Sequence, residues 1–478
     1  MNDATKAASG KLRRIAVSWL ILSLLVPVTP ARAQEVQGAE GRYLEASGDI
    51  TMALAGDAII TRRMSIFDEP DFLSMVDVVR ESTVSIVNLE MLFHDYGPEI
   101  LPATSSGGAY MTADPGLAHE LSWMGFDMVA LANNHSFDWG IGGIESTRAA
   151  IAAAGIEGAG TGANLALARA PAYLQTRGGR VALISVASTF SPQSRAGSQR
   201  KHIRGRPGLN PLRHTTTYEV PPEDFAAVRR MKDALGVRRG EEADAVEFLG
   251  ATFRRSDRAA VVTRPHEGDL AEILQEVRNA RRQADWVVVT SHSHEGAESR
   301  FVPARFVVEF ARAVVDAGAD VFFGHGPHVL RGVEIYQGRP IFYSLSNFIF
   351  QNETLDFQPG DNYRAWNLPA DALVADFHDR RAEEGRDWLA DQPNWESVIA
   401  SPIFRDGALQ EVVLHPIDLG YGLERSQIGR PMLARGALAR KIIERMQELS
   451  EPFGTRIELD GEVGRIRVGR GARSSSRR

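Results

Sequence analysis

From about residue 48 onward, short apolar runs alternate with segments whose apolar residues recur at every third or fourth position. "ITMALAGD" (50–57), "VSIVNLE" (84–90), "DMVALANN" (127–134) and "RVALISVAS" (180–188) read as strands. Between them, "FLSMVDVVRES" (72–82), "GLAHELSWMGF" (116–126) and "GIESTRAAIAAAG" (143–155) have helical spacing. Asp114-Pro115 opens the second helix and Gly155 closes the third. Strands and helices at these intervals predict an α/β architecture. Residues 191–265 break the rhythm. They are Arg-rich and punctuated by Gly and Pro, with one amphipathic helix near 222–235, and they predict an insertion that forms a lid over the core. The core resumes with a helix at 269–283, a strand at 285–291, a helix at 303–317 and a strand at 320–324. Strand-like runs follow at 332–336, 340–350, 372–379 and 409–419, then a helix at 433–449. The stretch 466–478 is basic and rich in Gly and Ser, and predicts a disordered tail.

The first 33 residues follow another pattern. Lys11, Arg13 and Arg14 precede an apolar run from Ile15 to Val28, and Ala31-Arg32-Ala33 stands just before Gln34. Positive flank, apolar segment and A-x-A site in that order describe a secretory signal peptide. The run has 14 residues, about 21 Å as a helix, which falls short of the ~30 Å hydrocarbon core of a bilayer. A cleaved signal at 1–33 is therefore expected, with the mature chain in the periplasm or cell envelope.

Composition changes the picture in two ways. The formal net charge is -7, and removing residues 1–33 takes away five positive charges and one negative, which leaves about -11. With no long basic run, nucleic acid is excluded as a partner. There is no cysteine, so export brings no disulfide and any metal must be held by nitrogen and oxygen.

The chemistry collects at the strand ends. Of 12 histidines, five fall in three short stretches, each directly after a predicted strand: His135, then His292 and His294, then His325 and His328. The first two strands end in Asp57 and in Asn88 and Glu90. Taken alone, Gly-Asp is a turn, Asn-Leu-Glu a cap or surface ion pair, and Asn-His a loop bonded to its own backbone. Five strands ending alike favour ligands, because the ends of parallel strands share one edge of a sheet. Carboxylate, carboxamide and imidazole together suit a divalent transition metal, with room for two ions about 3.5–4 Å apart.

Taken in order, "GDAIITRR", "NLE", "ANNHSFDWG", "SHSHEG" and "GHGPHVLRGVEIYQGRPIFYSLSNFIF" resemble the blocks of the CapA family of capsule-synthesis proteins, associated with poly-γ-glutamate production. The resemblance covers roughly 48–465, including "GRPGLNPL" in the insertion and "RPMLARG…LSEPFGT" near the end. It implies one elaborated domain of the calcineurin-like metallophosphoesterase fold, a four-layer αββα sandwich of two mixed sheets flanked by helices. It also implies roles for residues. Asp57 resembles the first-strand metal carboxylate, Glu90 an acid that bridges two ions, and Asn134 the amide ligand. His325, His328 and either His292 or His294 resemble the imidazole ligands. His135 takes the place of the proton donor, with Asp138 and Asn133 orienting its loop. Arg62, Arg63, Asn88, Asn133 and Asn347 are the candidates for substrate contact. The chain departs from the family pattern at three places. It has His292-Ser293-His294 for His-Trp-Gly, Gly326 where another His is common, and Ser346 where Gly is usual. The first block also lacks the Asp-x-His of ordinary phosphoesterases.

The expectation is an exported protein with a metallohydrolase-like site holding one or two Mn, Zn or Fe ions. It would support synthesis, export or release of an anionic polymer such as poly-γ-glutamate. The alternatives are a non-catalytic envelope assembly subunit and a periplasmic phosphoesterase. The expected partners are the polymer or its biosynthetic membrane complex, with membrane contact only through an uncleaved signal. The signal prediction is checked by intact mass of protein recovered from the envelope: the chain should begin at Gln34, and a mass retaining Met1–Ala33 would mean an anchored protein.

Overall fold

The structure, a computed structural model, describes residues 48–237, 243–383 and 389–468. The expected signal peptide and most of the expected tail lie outside these residues. Two mixed sheets face each other. Across the first, the order is β21 (Glu458–Asp460), β22 (Val463–Arg467), β19 (Ala408–Asp418), β18 (Glu396–Arg405), β1 (Ile50–Ile59), β2 (Val84–Leu89), β3 (Met128–Ala130) and β4 (Glu157–Ala159). β17 (Asn347–Phe350) pairs with the end of β1, and β20 (Met432–Leu433) with β19. Across the second, the order is β15 (Val333–Tyr336), β16 (Arg339–Phe342), β14 (Val321–His325), β13 (Trp286–His292), β7 (Gly179–Ala187) and β6 (Ala172–Thr176). β1 to β4 run parallel, as do β16, β14, β13 and β7.

Alternate residues of each strand face opposite layers, as the pleat dictates. Met52 and Leu54 of β1 join Ile86 and Met128 against Leu183, Val288, Val321 and Phe323 of the second sheet, in the core between the sheets. Ala53, Val87 and Val129 face outward onto α1 (Pro70–Arg80), α2 (Ala118–Met124) and α3 (Gly140–Ala153). On the far side, Ile184, Val287, Val289 and Phe322 pack against α6 (Glu267–Arg281) and α7 (Arg305–Asp316). Strands buried on both faces explain the continuous apolar runs of the sequence. The helix–sheet–sheet–helix order implied by the family resemblance is present. α10 (Gly436–Ser450) lays Ala439, Ile442, Ile443 and Met446 into the core between the sheets.

Three expectations are corrected. The run 372–379 is helical from Val374 on, the start of α9 (Val374–Glu383), which follows the short α8 (Gly360–Ala365). Its buried residues Phe377, His378 and Arg381 have helical spacing, and Asp376 accepts from the N–H of Leu373 at its start (2.7 Å). The run 340–350 is two strands in different sheets, β16 and β17, because the chain crosses over at Ser344–Ser346. The insertion holds the expected helix, α5 (Pro222–Ala234), but also a separate sheet in the order β10 (Ala245–Phe248), β11 (Ala251–Arg255), β9 (His214–Val220) and β12 (Ala260–Pro265). That sheet rests on α7: His214 stacks on Phe306 with ring centroids 4.3 Å apart, and the Phe306 N–H donates to Thr263 Oγ1 (3.2 Å).

The crossover fixes the end of β1. Asp57 N donates to Ser346 O (2.9 Å), and a Cβ on Gly56 would lie 1.8 Å from that same oxygen, so only glycine fits there. Ser346 has φ +63 and a buried hydroxyl without a partner. A left-handed non-glycine residue costs roughly 1–2 kcal/mol, and an unsatisfied buried hydroxyl adds to this. Ser346→Gly should therefore stabilise the protein by about 1 kcal/mol after allowing for glycine's entropy in the unfolded chain. Thermal melts check it: an unchanged or lower melting temperature would refute the strain account.

Candidate metal centre

The parallel strands bring their carboxyl ends to one edge, and the predicted ligands meet there. Asp57 ends β1, Glu90 follows β2, and His292 and His325 end β13 and β14 as register partners. Asn134 and His135 lie in the tight loop after β3, closed by Ser136 Oγ donating to Leu131 O (2.6 Å) and accepting from Asn133 N (2.8 Å). His328 reaches the cluster from a backbone with φ +56. Among the described residues, three overlapping sets have possible ligand atoms within 4.8 Å of one another: Asp57, His292 and His325; Glu90, His292 and His294; Asp57, Glu90 and His328. His292 and His294 were alternatives on sequence, and the fold brings both in, with their Nε2 atoms 3.0 Å apart.

Hydrogen bonds define the centre's electrostatics. Asp57 accepts from Asn88 Nδ2 (2.8 Å) and the Gly326 N–H (2.9 Å), and its Oδ1 lies 3.2 Å from His325 Nδ1 and 3.5 Å from His292 Nδ1. Burial alone would raise its pKa, but the two imidazoles outweigh this and hold the carboxyl well below its usual range. Glu90 is the opposite case. Burial, then the charges of Asp57 and Asp138, push its pKa well above the usual value, and neither carboxylate oxygen has a hydrogen-bond partner. Burial drives the His292 pKa down to about 4 and also lowers those of His294 and His328. These imidazoles are neutral at pH 7, which is the form that binds a metal. Asn134 Oδ1 is likewise buried and unpartnered.

Neighbouring groups fix the rings. Asn347 Nδ2 donates to Asn394 O (2.8 Å), so its Oδ1 faces His328 Nδ1 (2.7 Å) as an acceptor. His328 therefore carries its proton on Nδ1, and Nε2 is the unprotonated nitrogen. His325 Nε2 is paired with Thr290 Oγ1 (2.8 Å). Asp138 Oδ2 accepts from Met111 N (2.9 Å) and from His135 Nδ1 (2.7 Å), which turns His135 Nε2 toward Glu90 Oε1, 3.8 Å away. Asn133 Oδ1 accepts from His135 N (3.1 Å), and its Nδ2 donates to Leu89 O (2.8 Å).

The five candidates for substrate contact are all engaged by the protein. Asn88, Asn133 and Asn347 are buried, and their amides bond Asp57, the His135 loop and His328. Arg63 pairs with Glu120 (3.1 Å), the Arg62 guanidinium donates to Ile428 O, and the Arg62 backbone N–H donates to Gln351 Oε1 (2.8 Å). Sequence reasoning missed Arg331. Its guanidinium is fully buried, its pKa is lowered by burial to about 10, and it donates to the carbonyls of Ser293 (3.4 Å), His294 (3.2 Å) and Arg300 (2.8 Å). It pins the loop that carries His294. The only signal for it was a cation inside the apolar run "HVLRGVEIY". Also missed was the segment 95–110 as a cover: a Cβ on Gly107 would lie 2.3 Å from Asn134 Nδ2 and 3.1 Å from His135 Cε1.

Residues 44–352 match the family described as bacterial capsule synthesis protein PGA_cap. The chain belongs to this family. It is 38% identical over 431 residues to the uncharacterized protein y4sH of Sinorhizobium fredii, covering 87% of this chain and 93% of that protein. It is 33% identical over 141 residues to the PGA biosynthesis protein CapA of Bacillus subtilis, covering 30% of this chain and 33% of that protein. With the capsule biosynthesis protein CapA of Bacillus anthracis it shares 26% identity over 254 residues, 53% of this chain and 44% of that one. The metallophosphoesterase-like sandwich of this PGA_cap chain thus carries buried Asp, Glu and His groups with the spacing to hold a metal.

The opposed shifts predict how metal-free protein responds to pH. A raised folded-state pKa at Glu90 means that the native state holds a proton the unfolded chain has released. Its contribution is complete below about 4.5 and is lost as pH rises through the folded value. A depressed His292 acts in the opposite sense: its contribution is complete above 6.5 and is lost as pH falls toward about 4. Glu90→Gln should raise the melting temperature of metal-free protein at pH 8 while abolishing stabilisation by added Mn²⁺ or Zn²⁺. A variant that loses stability at pH 8 would overturn this account of Glu90.

Proposed function

We propose that this chain is an exported CapA-type protein whose centre binds one or two divalent metal ions and serves the synthesis, export or release of an anionic polymer such as poly-γ-glutamate. The observation that carries the reading is Glu90: a wholly buried carboxylate with both oxygens unpartnered, ringed by imidazoles that burial keeps neutral. The capsule and PGA biosynthesis named in the Bacillus relatives supports the polymer. The N-terminal apolar run supports export, and among the described residues no helix is long and apolar enough to cross a membrane.

Asp57, Glu90, Asn134, His292, His294, His325 and His328 would hold the metal. A bound divalent cation supplies a Lewis acid that activates water near neutral pH and stabilises an oxyanion. The protein's own part is to keep the His292, His294 and His328 imidazoles unprotonated and the donors dry, and to handle the proton. His135, with Nδ1–H fixed on Asp138, presents Nε2 to the centre, where it can take a proton from an attacking water and then give it to a leaving amine. A second reading, an assembly subunit without catalysis, is favoured by the closure of the centre under Gly107.

Protein purified without chelator should carry about one to two equivalents of metal. His325→Ala should lose at least one equivalent while staying folded, and His135→Ala should keep the metal but lose hydrolysis of poly-γ-glutamate. Metal analysis, melting curves and amine release check these together. A protein that holds no metal and gains no stability from Mn²⁺ or Zn²⁺ would sink the metal reading. Metal without hydrolysis of polymer or phosphate esters would leave the assembly subunit.

A further inference from the structure

Between Glu157 and Glu219 the chain has nine Arg and Lys and no acidic residue, in a protein of formal net charge -7. Five of these cations, Arg195, Arg200, Lys201, Arg204 and Arg206, lie on or beside one short hairpin. Arg200 and Ile203 exchange both backbone hydrogen bonds (2.9 and 3.1 Å), and Gly197 N donates to Arg206 O (2.9 Å). Its base is tightly packed. A Cβ on Gly205 would lie 2.4 Å from the Asn164 side chain, and Leu165 N, at the start of α4 (Leu165–Arg169), donates to Gly197 O (3.1 Å). At the tip, Arg200, Lys201, His202 and Arg204 are exposed. The guanidiniums of Arg195 and Arg206 bond only carbonyl oxygens, those of Pro192 and Arg195. Among the described residues none of the five cations pairs with a carboxylate, whereas flanking Arg169 and Arg213 both pair with Asp269.

The hairpin rises from the edge that carries the metal centre. β8 (Gly208–Leu209) at its base pairs with β5 (Thr161–Gly162), just beyond the end of β4. Asn210 N donates to Gly160 O (2.8 Å), and Ala187 N to Asn210 O (3.1 Å). Ala187 is the register partner of His292. Gln193 donates to Thr104 (3.3 Å) and Ser105 (3.1 Å), within the segment that covers His135.

We propose that the hairpin Gly197–Arg206 is a docking arm for an extended polycarboxylate chain, which it brings to the covered edge beside His135. The inference rests on the anionic-polymer reading above. Unpaired cations on an acidic body make one local site of positive potential, and the remaining surface repels the same ligand. Arginine forks match carboxylate geometry. A bilayer fits less well, because Ile203 is the one exposed large apolar residue at the tip, and interfacial binding needs an apolar face.

The test is binding of fluorescently labelled poly-γ-glutamate to the full exported protein, read by anisotropy at two salt concentrations. The protein should bind, more weakly at high salt. Replacing three cations together (Arg200→Ala, Lys201→Ala, Arg204→Ala) should weaken binding about tenfold or more, with melting temperature and metal content unchanged. Equal affinity of the variant overturns the arm. So does a wild type that binds phosphatidylglycerol vesicles and not the polymer. Hydrolysis measured on the same samples separates the two readings. Salt-sensitive binding without cleavage keeps the arm and refutes the hydrolase, and cleavage at equal rates by both proteins does the reverse.

Discussion

Glu90 carries its carboxylate into a space with no solvent exposure, where neither oxygen finds a hydrogen-bond partner. An ionised carboxylate buried this way costs several kcal/mol unless a counter-charge meets it. Asp57 and Asp138 make the potential more negative, and burial keeps His292, His294 and His328 unprotonated. The nearest imidazole nitrogens, on His292 and His135, stand 3.5 and 3.8 Å from Oε1, beyond a good hydrogen bond. Either a proton sits on Glu90 or a cation arrives from outside the chain. A proton would satisfy one oxygen, whereas a divalent cation would also meet the lone pairs of the neighbouring imidazoles.

Holding so many ring nitrogens close together requires that each ring be fixed from behind. The chain does this with uncharged amides and hydroxyls: Asn347 behind His328, Thr290 beside His325, Asn88 beside Asp57, Asn133 under the His135 loop. The shortest carboxylate contact is at His135, where Asp138 takes Nδ1 at 2.7 Å, whereas Asp57 stands 3.2, 3.5 and 3.6 Å from the His325, His292 and His328 rings. That contrast separates the ring suited to carry a proton from the rings suited to offer a lone pair. Arg331 serves the same frame through the backbone, placing a positive charge against three carbonyls rather than against the centre.

The layers and the centre were legible because both follow from local patterns. β1, β2, β13 and β14 are apolar runs that stop abruptly at Asp, Glu or His, and parallel pairing carries those stops to one edge. What was not legible depends on contacts distant in sequence. The strands of the insertion are short, half-exposed and rich in Thr and Arg, so β9 (HTTTYEV) shows no apolar alternation, and its partners stabilise it. The run at 340–350 reads as one strand because Ser346 looks innocuous; only its left-handed backbone, pressed against Gly56, reveals the crossing. The bonds of Asn88 to Asp57 and of Asn347 to His328 span the fold or a turn, and nothing local in the sequence tells such a buried amide from an exposed one.

The departures from the family pattern also have a geometric reading. This chain has His294 where the pattern has Gly, and Gly326 where another His is common. The two positions are neighbours across the β13–β14 edge, for Ser293 N donates to His325 O (2.9 Å). Gly326 has φ +114, and a Cβ there would lie 2.9 Å from Ser293 N and 3.3 Å from the His292 ring. With the 292–294 loop in this position, no side chain fits at 326, and the freed N–H is spent on Asp57 instead. His294 enters from the adjacent strand end, with its N–H held by Thr189 Oγ1 (3.0 Å) and its carbonyl by Arg331. An imidazole is thus exchanged for a glycine on each side of one strand pair, which keeps the number of nitrogen donors and shifts the direction from which one of them approaches.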